Sequence, residues 1–487
     1  MSSSQTSPLL ALRGSPEHPT SRRIETPRHE HSRSLVIALI LLYIGFLDLP
    51  YELITPAQTR VFEQIYCKLY YREHDPSLIG SDGRDGVLEK WCKVDWVQAE
   101  VAVVKGLQFT FDSLGMLLLS ILWSHVADSF GRKPVLLLAT FALLVKYAYV
   151  QLICWLSGSV SLKLTWLSAL YTVFGGGLAT ANAITYTMIS ELFQERDRAS
   201  VFFKVMAVNC TTQVIGPLLS ASLMVWNPWT PMILGLVVEF ASVVTVFFLP
   251  ETLQHSRRGL LAIDSTPNIS THSQCQPPFL RRLSHAFQRS LSLLVSDMRV
   301  LSIVGLFILR VLFLNREVML QYISTRYSIP LAQAAAVIAI RSGIVFVVCA
   351  AILPVMGNYF GSRLGARRSD IVLSQISAAV IALGFLGMGF ATNLPIHISA
   401  LILNALGWGL FSFLRNFLVS IVEPGQVAQL NSFISMFEVI GLMIGSPLLV
   451  ALFTSGLELG GVWLGLPFFA SAGALMILVL VLTQIRV

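Results

Sequence analysis

Residues 124–137, SHVADSFGRKPVLL, decide how the rest of the chain is read. An apolar run, 114–123, precedes them and another, 135–144, follows. A turn carrying Asp128, Arg132 and Lys133 is therefore pinned between two hydrophobic helices. Gly131 permits a tight reversal, Arg132 and Lys133 hold the turn on the cytoplasmic side of a membrane, and Asp128 can pair with a cation or cap a helix N-terminus. Residues of these types in this order make a latch more than a catalytic site.

Composition agrees with a bilayer as the main solvent. The chain has 487 residues, 54% of them hydrophobic and 13% charged, and a mean hydropathy of +0.70, too apolar for soluble domains. The formal charge of +7 does not point to nucleic acid, because the cations sit in short tails and loops and form no single basic face. Residues 1–34 are rich in Ser, Pro, Arg and His and hold no apolar signal core, so they read as a disordered cytoplasmic tail. No phosphate-binding loop, no His/Cys metal spacing and no serine elbow occurs, so neither an enzyme, a cofactor nor a metal centre is expected.

A helix crosses the hydrocarbon with about 20 mostly apolar residues. Twelve stretches qualify: 35–56, 104–124, 134–156, 165–189, 201–225, 230–250, 298–324, 332–356, 370–391, 395–420, 428–453 and 462–484. Arg22, Arg23, Arg28 and Arg33 before the first, Arg132 and Lys133 after the second, Arg196 and Arg198 after the fourth, Arg281, Arg282 and Arg289 after the sixth, and Arg363, Arg367 and Arg368 after the eighth all fall on one side. By the positive-inside rule that side is cytoplasmic and holds both termini. On the other side the one long loop, 57–103, holds Cys67 and Cys92, which form either a disulfide or two free thiols. Cys154, Cys210 and Cys349 read as small apolar residues within spans, and Cys275 lies in the central loop. That loop, 251–297, is the linker between a six-helix unit at 35–250 and another at 298–487; its Asn268 sequon, placed in the cytoplasm, is not a glycosylation site.

The two halves repeat each other. Gly175, Gly177, Leu178, Ile189 and Glu191 in the fourth span match Gly407, Gly409, Leu410, Ile421 and Glu423 in the tenth at a constant offset of 232. Gly216 and Pro217 in the fifth echo Gly445 and Pro447 in the eleventh, and Gly365 and Arg367 form a worn copy of the opening turn. Parallel repeats of this kind place a substrate site between the halves near mid-membrane.

The opening turn resembles the signature loop of the major facilitator superfamily, G-x-L-A-D-x-x-G-R-K, through Ala127, Asp128, Gly131, Arg132 and Lys133, with Ser124 and Val126 replacing the first glycine and the leucine. The stretches 104–114, 175–191, 248–253 (FLPETL), 320–336 and 438–449 look like the fungal branch of that superfamily, exporters of drugs and metabolites distantly similar to proton-coupled folate carriers. The resemblance implies an all-α membrane protein of twelve transmembrane helices in two pseudo-symmetric six-helix bundles. It also implies that Glu191 and Arg198 join Asp128 in an ionic latch, with Arg415 and Glu423 as a looser counterpart. Gly216-Pro217 is similar to the drug-exporter motif, although Thr212, Ser220 and Ala221 stand where that motif has glycines.

Ionisable residues inside spans cost roughly 2.5–3.5 kcal/mol each at the bilayer centre and face a cavity or a partner. Asp48 and Asp112 share a depth, with Glu52 one turn beyond Asp48 on the same helical face; Lys146, Glu239, Arg310, Arg341 and Glu438 come near the midplane. A carboxylate among Asp48, Asp112, Glu239 and Glu438 is expected to exchange a proton as the cavity changes sides, because burial favours the neutral form and a nearby cation the ionised one. Arg310 and Arg341 would bind an anionic substrate group or a carboxylate. For each, a structural ion pair is the alternative. Glu317 reads as a local partner of Arg316, His397 as a solvated ring near the outer boundary, and Trp408, between Gly407 and Gly409, as either an anchor or a cavity-lining ring.

The expected function is proton-coupled transport of a small organic molecule, exported by alternating access, with the bilayer and protons as partners, no nucleic acid, and a monomer in the plasma membrane or an internal membrane such as the vacuole. Uptake of a small organic anion and a non-transporting nutrient sensor are the alternatives.

Overall fold

A computed structural model describes residues 27–83, 86–193, 195–253, 298–314, 316–422 and 427–484. Tail residues 1–26, linker residues 254–297 with Cys275 and the Asn268 sequon, and Glu423 lie outside the described residues.

Among the described residues every regular element is helical. Spans one to three are α1 (Pro27–His74), α2 (Asp95–Phe130) and α3 (Arg132–Trp155). The fourth is a 3-10 segment, Leu162–Val173, followed by α4 (Gly177–Leu192); then come α5 (Glu195–Met224) and α6 (Trp229–Phe248). The later helices are α7 (Met298–Leu306), α8 (Val311–Leu314), α9 (Arg316–Arg326), α10 (Leu331–Val347), α11 (Leu353–Leu364), α12 (Ala366–Phe390), α13 (Leu394–Leu406), α14 (Leu410–Ile421), α15 (Val427–Leu459) and α16 (Leu466–Gln484). Because α1 starts at Pro27, the last residues of the expected tail, 27–34, are helical.

Among the described residues eleven segments are long and apolar enough to cross a membrane. The expected seventh span is instead divided into α7, a 3-10 turn at Phe307–Arg310, α8 and α9. Its polar run, Arg310 followed by Arg316 and Glu317, interrupts the apolar stretch, and Gly441 and Gly445 on α15 let the broken backbone lie close. The fourth and tenth spans also break, and at the repeated glycines: Gly175, Gly176 and Gly177 all adopt positive φ, and Gly407–Gly409 separate α13 from α14.

Ends of helices meet on two sides. The α2–α3 turn, the end of α4 and the end of α6 are hydrogen-bonded to one another, and the α11–α12 turn reaches the end of α14 through Arg367 and the Ser420 carbonyl at 2.8 Å; this is the turn side. On the far side Tyr327 donates to the Ala391 carbonyl at 3.3 Å and Tyr149 to that of Leu164 at 3.1 Å.

Two apolar clusters fill the interior. One, including Tyr43, Leu47, Leu136, Leu143, Met188 and Leu249, takes its buried members from the first six spans and their turn-side flank. The other starts in the far-side parts of α1 and α2, at Phe62, Val97 and Val101, and continues into Phe307, Tyr322, Leu449 and Phe468. The early and late helices thus share one apolar cluster that begins on the far side, and α2 packs on α15 and α5 on α10.

Close helix approach depends on small residues. A Cβ at Gly384 on α12 would lie 2.6 Å from the backbone nitrogen of Asn404 on α13. Gly384→Val is expected to lower stability by about 2 kcal/mol, read as an earlier thermal unfolding midpoint in detergent. Gly473→Ala, with open space at its Cβ, is expected to leave the midpoint in place; equal midpoints for both variants would refute the packing account.

Candidate functional site

The α2–α3 turn is assembled around carboxylates. Gly131 ends α2 at φ +126, and Gly365 repeats the extended positive-φ conformation between α11 and α12. Glu251, just beyond α6, accepts the backbone N–H of Arg132 at 3.0 Å and of Lys133 at 3.1 Å, capping the first turn of α3 where its free N–H groups and positive dipole end lie. Arg132 pairs with Asp128 and, at 3.0 Å, with Glu191. The other oxygen of Glu191 accepts from Thr252, and Lys133 donates to the Phe247 carbonyl at 2.7 Å. Arg198 takes a different place. It donates to the Ser190 carbonyl at 2.8 Å, satisfying the C-terminal turn of α4, and contacts no latch acid.

At mid-depth Lys146 pairs with Asp112 at 2.6 Å and lies over the Tyr171 ring, 4.7 Å from its centroid. Tyr171 is held at this height by the 3-10 segment before the glycine break. Among the described residues neither Asp48 nor Glu239 forms an ion pair. With its amide turned to donate, Asn209 reaches Asp48 Oδ2 at 2.9 Å. Glu239 is fully buried, and neither of its carboxyl oxygens has a hydrogen-bond partner among the described residues.

Charges also join early helices to late ones. Arg316 pairs with Glu52 at 2.7 Å and donates to Gln213 at 2.6 Å, and Lys105 pairs with Glu317 at 3.4 Å. Lys105 and Glu317 also border a chamber of about 40 Å³, lined by Tyr51, Gln58, Asp112 and Lys146 among others. That is room for only a few waters. Among the late helices Arg310 pairs with Glu438, and Arg415 approaches the same carboxylate at 3.6 Å. The buried Arg341 guanidinium lies 5.0 Å from the centroid of Trp408, so the glycine-flanked ring is a platform for a cation.

Some sequence expectations are corrected. Glu317 is not the local partner of Arg316, since neighbours one residue apart on a helix do not face each other. His397 is fully buried rather than solvated, because α13 turns it toward Tyr322, Tyr327 and Phe468. Arg415 approaches Glu438 at 3.6 Å, and its expected partner Glu423 lies outside the described residues. Sequence reading missed Glu251 and Thr252, although both stand in the FLPETL stretch directly after a turn-side helix end. It also missed the far-side charges Arg60, Glu63, Glu89 and Lys93, which carry no signal beyond the mixed charge of their loop. Cys67, which lies in the far-side extension of α1 and not in a loop, and Cys92, before α2, are joined by a disulfide with Cα atoms 5.2 Å apart.

Apolar spans surrounding an ion-lined middle define a multi-pass membrane carrier. The family model described as Major Facilitator Superfamily matches residues 102–446. "MFS efflux pump atnC" of Emericella nidulans is 30% identical over 92% of this chain and 88% of its own length. "Efflux pump ustT" of Aspergillus flavus is 27% identical over 90% of this chain and 88% of its own. In fold, the chain is similar to the D-xylose-proton symporter (TM-score 0.62, 13% identity, 92% of this chain and 97% of that one). The nucleoside transporter NupG gives a TM-score of 0.59 at 12% identity, covering 93% of this chain and 100% of that one. The chain belongs to the Major Facilitator Superfamily and has its fold; it is a membrane transporter.

Removing one member of a buried pair leaves an uncompensated charge. Lys146→Met alone is expected to destabilise the detergent-solubilised protein by about 3 kcal/mol, and Asp112→Asn with Lys146→Met to recover most of the loss. A single variant as stable as the parent in thermal unfolding would show that the pair has no structural weight.

Proposed function

We propose that the chain is a proton-coupled secondary transporter that exports a small organic molecule by alternating access. The observation that carries this reading is the pair Asp48 and Glu239. Asp112 and Glu438 each have a cation, whereas Glu239 is buried with no hydrogen-bond partner among the described residues and lies in electrostatic reach of Asp48 and, more weakly, of Lys146, which is already paired with Asp112. Two carboxyl groups so placed cannot both stay ionised without a cost of several kcal/mol. One of them carries a proton in this arrangement and gives it up when the surrounding helices move and water enters. Arg316 and Lys105 supply salt bridges that reconnect the early and late helices as they rock.

In this reading the tail at 1–34, the helices at 35–250, the linker at 251–297 and the helices at 298–487 are the units of the chain. The turn side and both termini face the cytoplasm, and the protein works as a monomer in the plasma membrane. Names of the fungal relatives favour export. A second reading, carriage of an organic anion, is favoured by Arg310 and Arg415 sharing the single carboxylate of Glu438, which leaves positive charge in excess on that wall.

The test is flux in proteoliposomes with an imposed pH gradient, screened over a panel of small metabolites. Asp48→Asn and Glu239→Gln are each expected to abolish gradient-driven accumulation of the transported compound while leaving exchange without a gradient measurable. Accumulation equal to the parent in both variants would remove these residues from the coupling step.

A further inference from the structure

α1 is 48 residues long. At about 1.5 Å per residue it outruns a hydrocarbon core of about 30 Å by more than its own first half. Its far-side extension carries Arg60, Glu63 and Cys67, and the disulfide from Cys67 to Cys92 fixes a 3-10 turn, Glu89–Cys92, against it. Within the early helices this corner is fully wired. Glu63, whose side chain is 1% exposed, accepts from Arg60 at 2.6 Å, from Lys93 at 2.7 Å and from Gln98 at 2.6 Å. Arg60 and Lys93 also pair with Glu89, at 3.2 and 3.3 Å.

Two of these side chains reach the late helices. Lys93 Nζ donates to Ser324 Oγ on α9 at 2.6 Å, and Glu89 Oε1 accepts the backbone N–H of Leu331 at 2.6 Å. Leu331 opens α10 after Pro330, so its N–H is one of those a helix leaves unsatisfied, at the end where a carboxylate is favoured. Ser324 is itself held by donating to the Ile329 carbonyl at 2.7 Å. Both links are charge-assisted, and both start from one short turn whose position the disulfide and the Glu63 network set beforehand.

We propose that Glu89 and Lys93 are a gate: a preassembled clamp on the early helices that grips the α9–α10 corner of the late helices, closes the far side, and releases once in each transport cycle. The clamp rests on the alternating-access reading. Its links are few enough to break together, while the bonds inside the early helices keep the turn ready to close again. Cys67 and Cys92 act as positioning residues for it.

The test uses the full chain in lipid nanodiscs, with the four cysteines outside the bridge replaced. Spin labels at Lys90→Cys and Ile396→Cys report the far side, and labels at Ser129→Cys and Ser362→Cys report the turn side. Lys93→Met is expected to shift the ratio of far-side-open to far-side-closed populations about tenfold, equivalent to about 1.4 kcal/mol. The far-side distance should lengthen as the turn-side distance shortens. Lys93→Arg is expected to retain the parent ratio, and Cys67→Ser with Cys92→Ser to shift it in the same direction as Lys93→Met. Should Lys93→Met fail to fold, Ser324→Ala removes the cross-link together with the local bond to the Ile329 carbonyl, leaves the Glu63 network in place, and is expected to move the ratio the same way. A parent that exchanges between two distances with variants that leave the ratio unchanged overturns the clamp alone. So does far-side lengthening without turn-side shortening, which marks a loosened loop. One fixed distance at both label pairs, in parent and variants at acid and neutral pH, overturns the alternating-access reading and the clamp with it.

Discussion

A charge inside a bilayer must find a partner, and most of this architecture follows from where those partners are. Lys146 is held between Asp112 and the face of Tyr171, Arg310 is bound to Glu438, Arg341 lies on Trp408, and Arg316 and Lys105 reach across to Glu52 and Glu317. Each arrangement spreads a cation over a carboxylate or an aromatic face, the two surfaces that replace water for it. The glycine breaks in the fourth and tenth spans serve the same end. They stop a helix at mid-depth so that Tyr171 and Trp408 sit beside a cation from a neighbouring helix.

Against that background the carboxyl groups without a cation stand apart. A structural protein of the membrane has no reason to keep Glu239 buried with no hydrogen-bond partner among the described residues, since leucine at the same place removes the desolvation cost. A carrier does have one. A group that is neutral in one arrangement of helices and ionised in the other converts a pH gradient into a bias on that arrangement. Reading the salt bridges as fixed and these two acids as variable assigns different work to residues that share one depth.

How much of this was legible depended on the range of the interaction. The apolar runs, the turn at Gly131, the repeated glycines and the presence of charge within spans are local patterns, and they mapped onto helices, a positive-φ turn and helix breaks. The division of the seventh span was also local, written in Arg310, Arg316 and Glu317, but an apolar count over a long window averages it away. Partners were not legible. Arg316 stands next to Glu317 in sequence and binds Glu52, 264 residues away, because a helix turns adjacent side chains apart and only the packing of distant helices decides what each one meets. His397 failed for the same reason: its distance from the span end says nothing about which helix covers it. Far-side charges in residues 57–103 looked like an ordinary solvated loop, and what makes them a network is the fold of α1 and the disulfide.

The two ends of the molecule are fastened in different ways, and the difference has a mechanical meaning. On the turn side Asp128, Arg132, Glu191, Glu251 and Thr252 tie α2, α3, α4 and the end of α6 to one another, all within the early helices. Such a knot can persist through a rocking motion, since the helices it joins move together, and its effect is to keep their turn-side ends one rigid piece. The far-side contacts of Glu89 and Lys93 join early helices to late ones, so no rigid rotation of one group against the other leaves them intact. An interaction that stiffens a moving body and one that decides when it moves need not differ in strength. They differ in whether both partners travel on the same body, and by that criterion the signature turn is a brace and the disulfide-held corner is a catch.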